Sequence, residues 1–347
     1  MNSNKLDNRE IIDDPNAVSR KKDHISLAFE SQINSKEIDN RFYYEPFLAA
    51  HPDNLELSLD FLGKKMLVPI WISSMTGGTE KAKLINRNLA KNCREFGMGM
   101  GLGSCRSLLF SDEYFEDFNV RPIIGSTYPL FANLGVAQVE QLVLKKELDK
   151  ITTLIDKLQA DGLIIHVNPF QEYLQPEGDR FIQSPLQTIE NVLEKLSIPI
   201  IVKEVGQGFG PQSLRSLLQL PLAAIDFGAS GGTNFALLEL LRTQEKSESV
   251  QMPLTKVGHS AEEMITFVND LVVELGDKVL CNQIIVSGGI QNFLDGYYCT
   301  KKLKLKSVYG QASAFLKYAI HDDDSLSNYT QQHIKGLKLA NAYLIPK

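Results

Sequence analysis

The sequence predicts an α/β fold, a single-domain (β/α)8 TIM barrel with an N-terminal extension and an insertion after strand six. Three observations lead there. Short apolar runs alternate with longer stretches whose apolar residues recur at helical spacing, the pattern of βαβ units. The runs number eight, enough to close a barrel. Glycine and polar residues then gather at the carboxyl ends of those runs, where barrels keep their functional groups. A doubly wound open sheet is the competing architecture. It needs a GxGxxG turn after the first strand, and Thr76-Gly77-Gly78-Thr79 stands there instead.

Strands are expected over residues 67–73, 98–102, 129–133, 162–168, 199–205, 223–228, 283–287 and 307–311. Amphipathic helical stretches between them include 81–96, 136–159, 186–196 and 212–218. The spacing lengthens between the sixth and seventh strands. That insertion, 231–282, carries helical patterns over 234–242 and 261–275 and reads as a cover for the site. Residues 1–66 form an extension before the barrel of 67–347, with a short ordered piece expected at 41–46.

The 347 residues are 43% hydrophobic, ample for a large core, and the net charge of −6 argues against a nucleic-acid binder. A local basic site for a small anion stays open. Cys93, Cys105, Cys281 and Cys299 form no CxxC pair and read as reduced thiols of a cytoplasmic protein. The polar start of the chain does not read as a targeting peptide, and no apolar run reaches the ~18 residues of a membrane span.

Strand ends supply the candidate site. Ser287-Gly288-Gly289 and, about twenty residues on, Gly310-Gln311-Ala312 match the phosphate loops that barrels build after strands seven and eight. Glycines there let backbone N–H groups reach an anion. Two glycine-rich turns without a ligand are the bland alternative. Lys203 ends strand five as a lysine among apolar residues, either neutralised by Glu204 or set beside an anionic or redox group. His166, Asn168, Gln171 and Glu172 arrive together after strand four. A carboxylate such as Glu172 suits Mg2+ that is also held by ligand phosphate oxygens. Arg20-Lys21-Lys22-Asp23-His24 and Arg106 would clamp a diphosphate, although a bare charge run is usually a solvated face.

These motifs form an ordered series: Arg20-Lys-x-Asp23-His24, Ser74-Met-Thr76-Gly-Gly, Gly103-Ser104-x-Arg106, Ala132-Asn133-Leu-Gly, His166-x-Asn168-x-x-Gln171-Glu172, Lys203-Glu-Val-Gly206, Asp226-x(4)-Gly231-Gly-Thr233 and Ser287-Gly-Gly. The series closely resembles the type 2 isopentenyl diphosphate isomerases, the flavin-dependent form of that enzyme, over about residues 19–319. The resemblance implies an FMN lined by Ser73, Met75, Thr76, Ser104, Asn133, Lys203 and Thr233, with Gly288, Gly289, Gln311 and Ala312 at its phosphate. It implies a diphosphate substrate gripped by Arg20, Lys21, His24, Arg106, His166 and Asn168, Gln171 beside the alkene, and Mg2+ on Glu172. The implied reaction moves a double bond between isopentenyl and dimethylallyl diphosphate in isoprenoid biosynthesis. Reduced FMN would serve as acid and base, Lys203 would stabilise it, and NADPH would supply its electrons. Gln171 and Lys203 are then the catalytic residues, and the extension 1–66 contributes to the substrate site. The resemblance also suggests a homo-oligomer, a tetramer or octamer, with neither nucleic acid nor membrane as partner.

The chain departs from the family at Cys105, at Phe227-Gly-Ala-Ser230 and at Gln291-Asn-Phe293-Leu-Asp295, the last of which touches the phosphate loop. Two other readings compete. A 2-hydroxy-acid oxidase shares the Ser-Gly-Gly loop but needs a His/Arg pair late in the barrel, and His259 has no such arginine beside it. A sensor or scaffold that binds flavin or phosphate without turnover is the other.

Overall fold

Eight parallel strands close into a barrel in the larger of two units, Tyr44–Pro346. The strands are β1 (Ile70–Ile72), β2 (Gly99–Gly101), β3 (Leu130–Gly135), β4 (Gly162–Val167), β5 (Ile200–Glu204), β6 (Ala224–Asp226), β7 (Gln283–Ser287) and β8 (Lys306–Gln311). They pair in sequence order, and β8 returns to β1. The computed structural model describes residues 15–74, 77, 80–242 and 250–347.

Inside the barrel Trp71, Phe131, Ile164, Ile201, Ala224, Ile285 and Val308 form one buried cluster. Trp71 meets Phe131 edge to face, with centroids 6.2 Å apart. A hairpin of Leu59–Phe61 and Lys64–Met66 adds Phe61 and Met66 to the same cluster and so plugs the amino-terminal mouth. Burying an aromatic or aliphatic side chain of this size contributes about 1.5–3 kcal/mol. Beside the plug, Asp161 takes Lys64 Nζ at 2.5 Å and Arg121 Nη2 at 2.9 Å, and accepts the Leu130 N–H at 2.9 Å. With that end filled, open space is left to the carboxyl ends of the strands.

The expected strands are all present, several of them shorter. The first shrinks to Ile70–Ile72, although the Leu67 N–H still reaches Gly97 O at 2.9 Å. The helical stretch expected over 136–159 is two helices, Val136–Lys145 and Asp149–Leu158. Lys146 breaks it by entering the left-handed region (φ 59°), from which its N–H caps Leu142 O and Val143 O. Between β2 and β3 only short helical turns appear, Arg106–Leu109, Phe115–Phe118 and Arg121–Ile124. The insertion after β6 contains Phe235–Arg242 and Ala261–Leu275, as the periodicity predicts, plus a short turn at Met252–Lys256. Ser260 and Glu263 form a capping box that fixes where the second of these helices begins.

The smaller unit, Met1–Tyr43 with Lys347, holds the helix Ala17–Leu27 and a single helical turn Ser35–Glu37 capped by Asn34. Arg20, Lys21 and His24 all lie on that first helix. Among the described residues no helix is long and apolar enough to cross a membrane.

The closing helix Asp323–Tyr343 carries His333 into a buried nest of Phe293, Tyr309 and Tyr329, with ring centroids 5.4–5.9 Å away. Its Nε2 is buried without a hydrogen-bond partner, and burial lowers its pKa from 6.5 to about 4. The folded chain therefore keeps this ring neutral where an unfolded chain protonates it. Folding releases a proton in that window, and stability falls as pH falls through it. His333→Phe should flatten the loss of melting temperature between pH 6.5 and about 4. Parallel curves for the two proteins would show that the ring does not carry this linkage.

Candidate active site

The carboxyl-terminal mouth encloses a cavity of about 500 Å3, lined by residues from β3 to β5, by the ends of β7 and β8, and by the loops after β1, β2 and β6. Strand register sets its centre. His166 pairs with Lys203, and Lys203 with Asp226, so three chemistry-bearing residues stand in one row across β4, β5 and β6. Paired residues on neighbouring strands project to the same face.

Lys203 is 8% exposed. Its Nζ donates to Glu204 O at 2.7 Å and lies 3.8 Å from Asp226 Oδ2. The Glu204 side chain does not neutralise it. That carboxylate turns away and accepts the N–H groups of Gly206, Gln207 and Gly208 at 2.6–2.8 Å, bracing the bend after β5. The counter-ion is Asp226, which is wholly buried and accepts the Ser287 hydroxyl on its other oxygen. Burial pushes the Asp226 carboxyl above its usual range, while Lys203 and Ser287 pull it back.

His166 is fixed through Asn133. Asn133 Nδ2 donates to Leu102 O at 3.0 Å, which turns its Oδ1 toward His166 Nδ1 at 2.8 Å. Nδ1 therefore carries the hydrogen, and Nε2 keeps its lone pair. Burial and then the charge of Lys203 lower the His166 pKa from 6.5 to about 4.

The opposite wall is backbone. Gly288 and Gly289 take φ of 86° and 72°, and a Cβ on Gly288 would lie 2.0 Å from Ala229 O. No other residue type fits that position. Several polar atoms lining this cavity are buried without a hydrogen-bond partner: Ser73 Oγ, Ser74 Oγ and Gln311 Oε1. Buried polar groups are normally paired, so a cluster of unpaired ones marks the position of a polar ligand.

A second group adjoins the first. Asn168 Nδ2 donates to Gln171 Oε1 at 3.0 Å and to Glu172 Oε1 at 3.1 Å, while its own Oδ1 is buried and unpartnered. Gln171 Nε2 reaches Glu239 Oε1, from the insertion helix, at 3.4 Å. Glu172 Oε2 accepts the Asp179 N–H at 2.8 Å. Arg106 is held by Asp179 at 2.9 Å.

The structure thus brings Ser73, Ser104, Asn133, His166, Gln171, Lys203, Thr233, Gly288, Gly289, Gln311 and Ala312 around one cavity. Arg106, Asn168 and Glu172 join it through hydrogen bonds rather than as its lining. Met75 and Thr76 lie outside the described residues, and Arg20, Lys21 and His24 belong to the smaller unit. The altered segment after β7 divides in two. Gln291 lines the cavity, whereas Phe293 packs on His333 and against Gly336 of the closing helix. Asn292 and Asp295, neither of which departs from the family pattern, form a capping box that starts the helix there. Cys105 is buried, with its thiol pKa pushed up to about 12 by burial. His259 packs edge-on against Phe267, away from the cavity lining. Sequence reasoning gave no role to Asp226, Ser74, Asp179 or Glu239. Asp226 and Ser74 did carry a signal, since both stand at the carboxyl ends of barrel strands within the ordered motifs.

An isopentenyl-diphosphate delta-isomerase of Rickettsia typhi is 33% identical over 328 residues, covering 93% of this chain and 92% of the relative. Those of Rickettsia africae and Rickettsia prowazekii are 34% and 32% identical over the same shares. The chain belongs to the isopentenyl-diphosphate delta-isomerase family. It is an isomerase, and its closed barrel is the architecture that the motifs of the type 2 branch imply. No protein-family model matches the chain. Two solved structures share its fold. A mandelate oxidase mutant with a monooxide FMN adduct superposes with a TM-score of 0.55 at 14% identity, over 88% of each chain. A flavocytochrome b2 double mutant with sulfite bound gives 0.60 at 14%, over 87% of this chain and 72% of that one.

In this isomerase-family chain the His166 ring should remain neutral down to about pH 4, as followed by its ring-proton NMR shifts. Lys203→Met should move that midpoint upward, because the lysine charge opposes protonation. A midpoint near 6.5 in both proteins would contradict the burial and the charge placement described above.

Proposed function

We propose that the cavity holds FMN and that the chain interconverts isopentenyl diphosphate and dimethylallyl diphosphate, with Mg2+ on the diphosphate and NADPH as the source of flavin electrons. The observation that carries the flavin reading is the glycine wall with the unpaired Ser73, Ser74 and Gln311 atoms beside it. A planar ligand with acceptors for the two hydroxyls, a donor for Gln311 Oε1 and a phosphate tail would satisfy them. Gly288, Gly289 and Ala312 would meet the phosphate with backbone N–H groups, and Ser104, Asn133 and Thr233 would line the rest. The FMN adduct in a fold neighbour supports the same reading.

When bound, reduced FMN would supply the acid and base that move one proton across the allylic system. The protein's part is electrostatic and positional. Lys203 presents a fixed positive charge, which favours an anionic form of whatever ring lies beside it. Gln171 is clamped at both ends of its amide, so it would orient an alkene rather than donate a proton. Glu172 Oε1 and the unpartnered Asn168 Oδ1 are hard oxygens on one helix start, a donor pair suited to Mg2+ that keeps diphosphate oxygens as its other ligands. Among the described residues no cluster of three or more His, Cys, Asp or Glu side chains could hold a metal without such help. Arg106 and the first-helix residues Arg20, Lys21 and His24 would bind the diphosphate itself, whereas His166, neutral with a lone pair on Nε2, would join them only through a bridging water. The extension 1–66 would then serve the substrate site, and 67–347 the flavin. We further propose a cytoplasmic homo-oligomer, a tetramer or octamer.

The purified protein should show a flavin visible spectrum and, anaerobically with reduced FMN and Mg2+, should isomerise isopentenyl diphosphate. A yellow protein without that activity would favour an oxidase or a sensor. A colourless protein that does not take up FMN would remove the flavin from the scheme. Lys203→Ala should bind oxidised FMN with little change yet destabilise its reduced anion, seen as a lowered reduction potential. An unchanged potential would deny the lysine its role.

A further inference from the structure

We propose that Asp179 is a positioning residue for the diphosphate, acting through Arg106; the inference rests on the reading of Arg106 as a diphosphate contact. Arg106 follows β2 in a short turn, and its side chain is 51% exposed. An arginine so placed samples many rotamers, and ordering it on substrate binding costs entropy. Asp179 removes that cost in advance. Its Oδ2 accepts Arg106 Nη1 at 2.9 Å, while its own side chain is only 19% exposed.

What distinguishes this pair from an ordinary surface ion pair is the rigidity of the acid. Oδ2 also accepts Gln138 Nε2 at 2.8 Å, and Oδ1 accepts Gln141 Nε2 at 3.3 Å. Both glutamines lie on the helix after β3, three residues apart and therefore on one face. The Asp179 N–H is tied to Glu172 Oε2 at 2.8 Å. The turn itself sits hard on the helix Pro169–Leu174: a Cβ on Gly178 would lie 2.0 Å from Glu172 O. Arg180 donates to that same carbonyl at 2.7 Å and covers the Tyr173 ring at 4.8 Å. Asp179 is thereby held from two helices.

Two effects of Asp179 on an arriving anion oppose each other. Its negative charge repels the diphosphate, and its grip presents Arg106 with the remaining guanidinium N–H groups unoccupied by it. At a half-exposed ion pair solvent screening weakens that repulsion. Positioning does not depend on that screening and prevails. The linkage also runs onward without a gap, from Asp179 through Glu172 and Asn168 to Gln171 on the cavity wall. The arginine and the residues proposed for metal and alkene therefore share one frame.

The test is calorimetric binding of inorganic pyrophosphate, with Mg2+, to the full chain and to Arg106→Ala, Asp179→Ala, Asp179→Asn and the double alanine variant, each checked for an unchanged melting temperature. Asp179→Ala should weaken binding about five- to tenfold, and in the double variant it should add little to Arg106→Ala, the non-additivity of two residues acting as a unit. Asp179→Asn keeps an acceptor for Arg106 and should recover most of the affinity. With isopentenyl diphosphate the loss should appear in KM and leave kcat nearly unchanged. Additive losses, or tighter binding by Asp179→Ala, would overturn the proposal, the latter by showing that repulsion dominates. If Arg106→Ala itself binds pyrophosphate normally, the diphosphate reading of Arg106 fails first and takes the inference with it. Should Asp179→Ala not fold, Asp179→Ser, whose hydroxyl is too short to reach Arg106, provides the same cycle with Arg106→Ala, and additive losses there are equally fatal.

Discussion

A buried lysine facing a buried aspartate organises this site. Lys203 and Asp226 are both more than nine-tenths buried, on adjacent strands and in register. Two charges taken out of water are costly, and removing one partner of such a pair typically costs about 3–5 kcal/mol. The Ser287 hydroxyl, itself bonded to the Gly228 N–H at 2.9 Å, ties the aspartate to β7 and the loop after β6. One ion pair therefore couples β5, β6 and β7 at the level where the cavity begins. Burial, and then the charge of the same lysine from the other side, hold His166 neutral. The pair is a poor device for stability alone, since an apolar pair would serve a core better. Its position at the cavity is what gives it a use.

Around that centre the protein divides rigid from adaptable parts in a way that suits isomerisation. The hairpin plug and the apolar cluster fill one end of the barrel, so all open space lies at the other. There the wall is glycine and backbone on one side and fixed amides on the other. Asn133, Asn168 and Gln171 each have their amide orientation set by a second contact, which fixes donors and acceptors before any ligand arrives. Preorganised dipoles of this kind stabilise developing charge without reorganising during the reaction.

The insertion after β6 illustrates how function and fold share residues. Its first helix supplies Glu239 to Gln171, and the glycines before that helix pass beside Gly288 and Gly289. A cover in the sense expected from sequence is thus also a structural support for the cavity wall. The altered segment after β7 shows the reverse. Phe293 stands in the phosphate-loop region of the sequence, yet its side chain belongs to the packing of the closing helix.

By itself the sequence determined the barrel, the order of its strands and the ring of residues at their carboxyl ends. These follow from local rules: periodicity marks strands and helices, and a strand's end is a position along the chain. His166, Lys203 and the Ser287-Gly-Gly loop were legible for that reason. Tertiary structure decided the partnerships. Glu204 adjoins Lys203 in sequence and looked like its counter-ion, but adjacent residues of a strand point to opposite faces, and the counter-ion came from the next strand. Asp179 and Glu239 were invisible because their partners lie 73 and 68 residues away, joined by turns whose geometry no local pattern encodes. The break at Lys146 was missed because an amphipathic pattern continues across a left-handed cap without changing its period enough to notice. Chemistry that depends on one residue was readable; chemistry that depends on a pair required the fold.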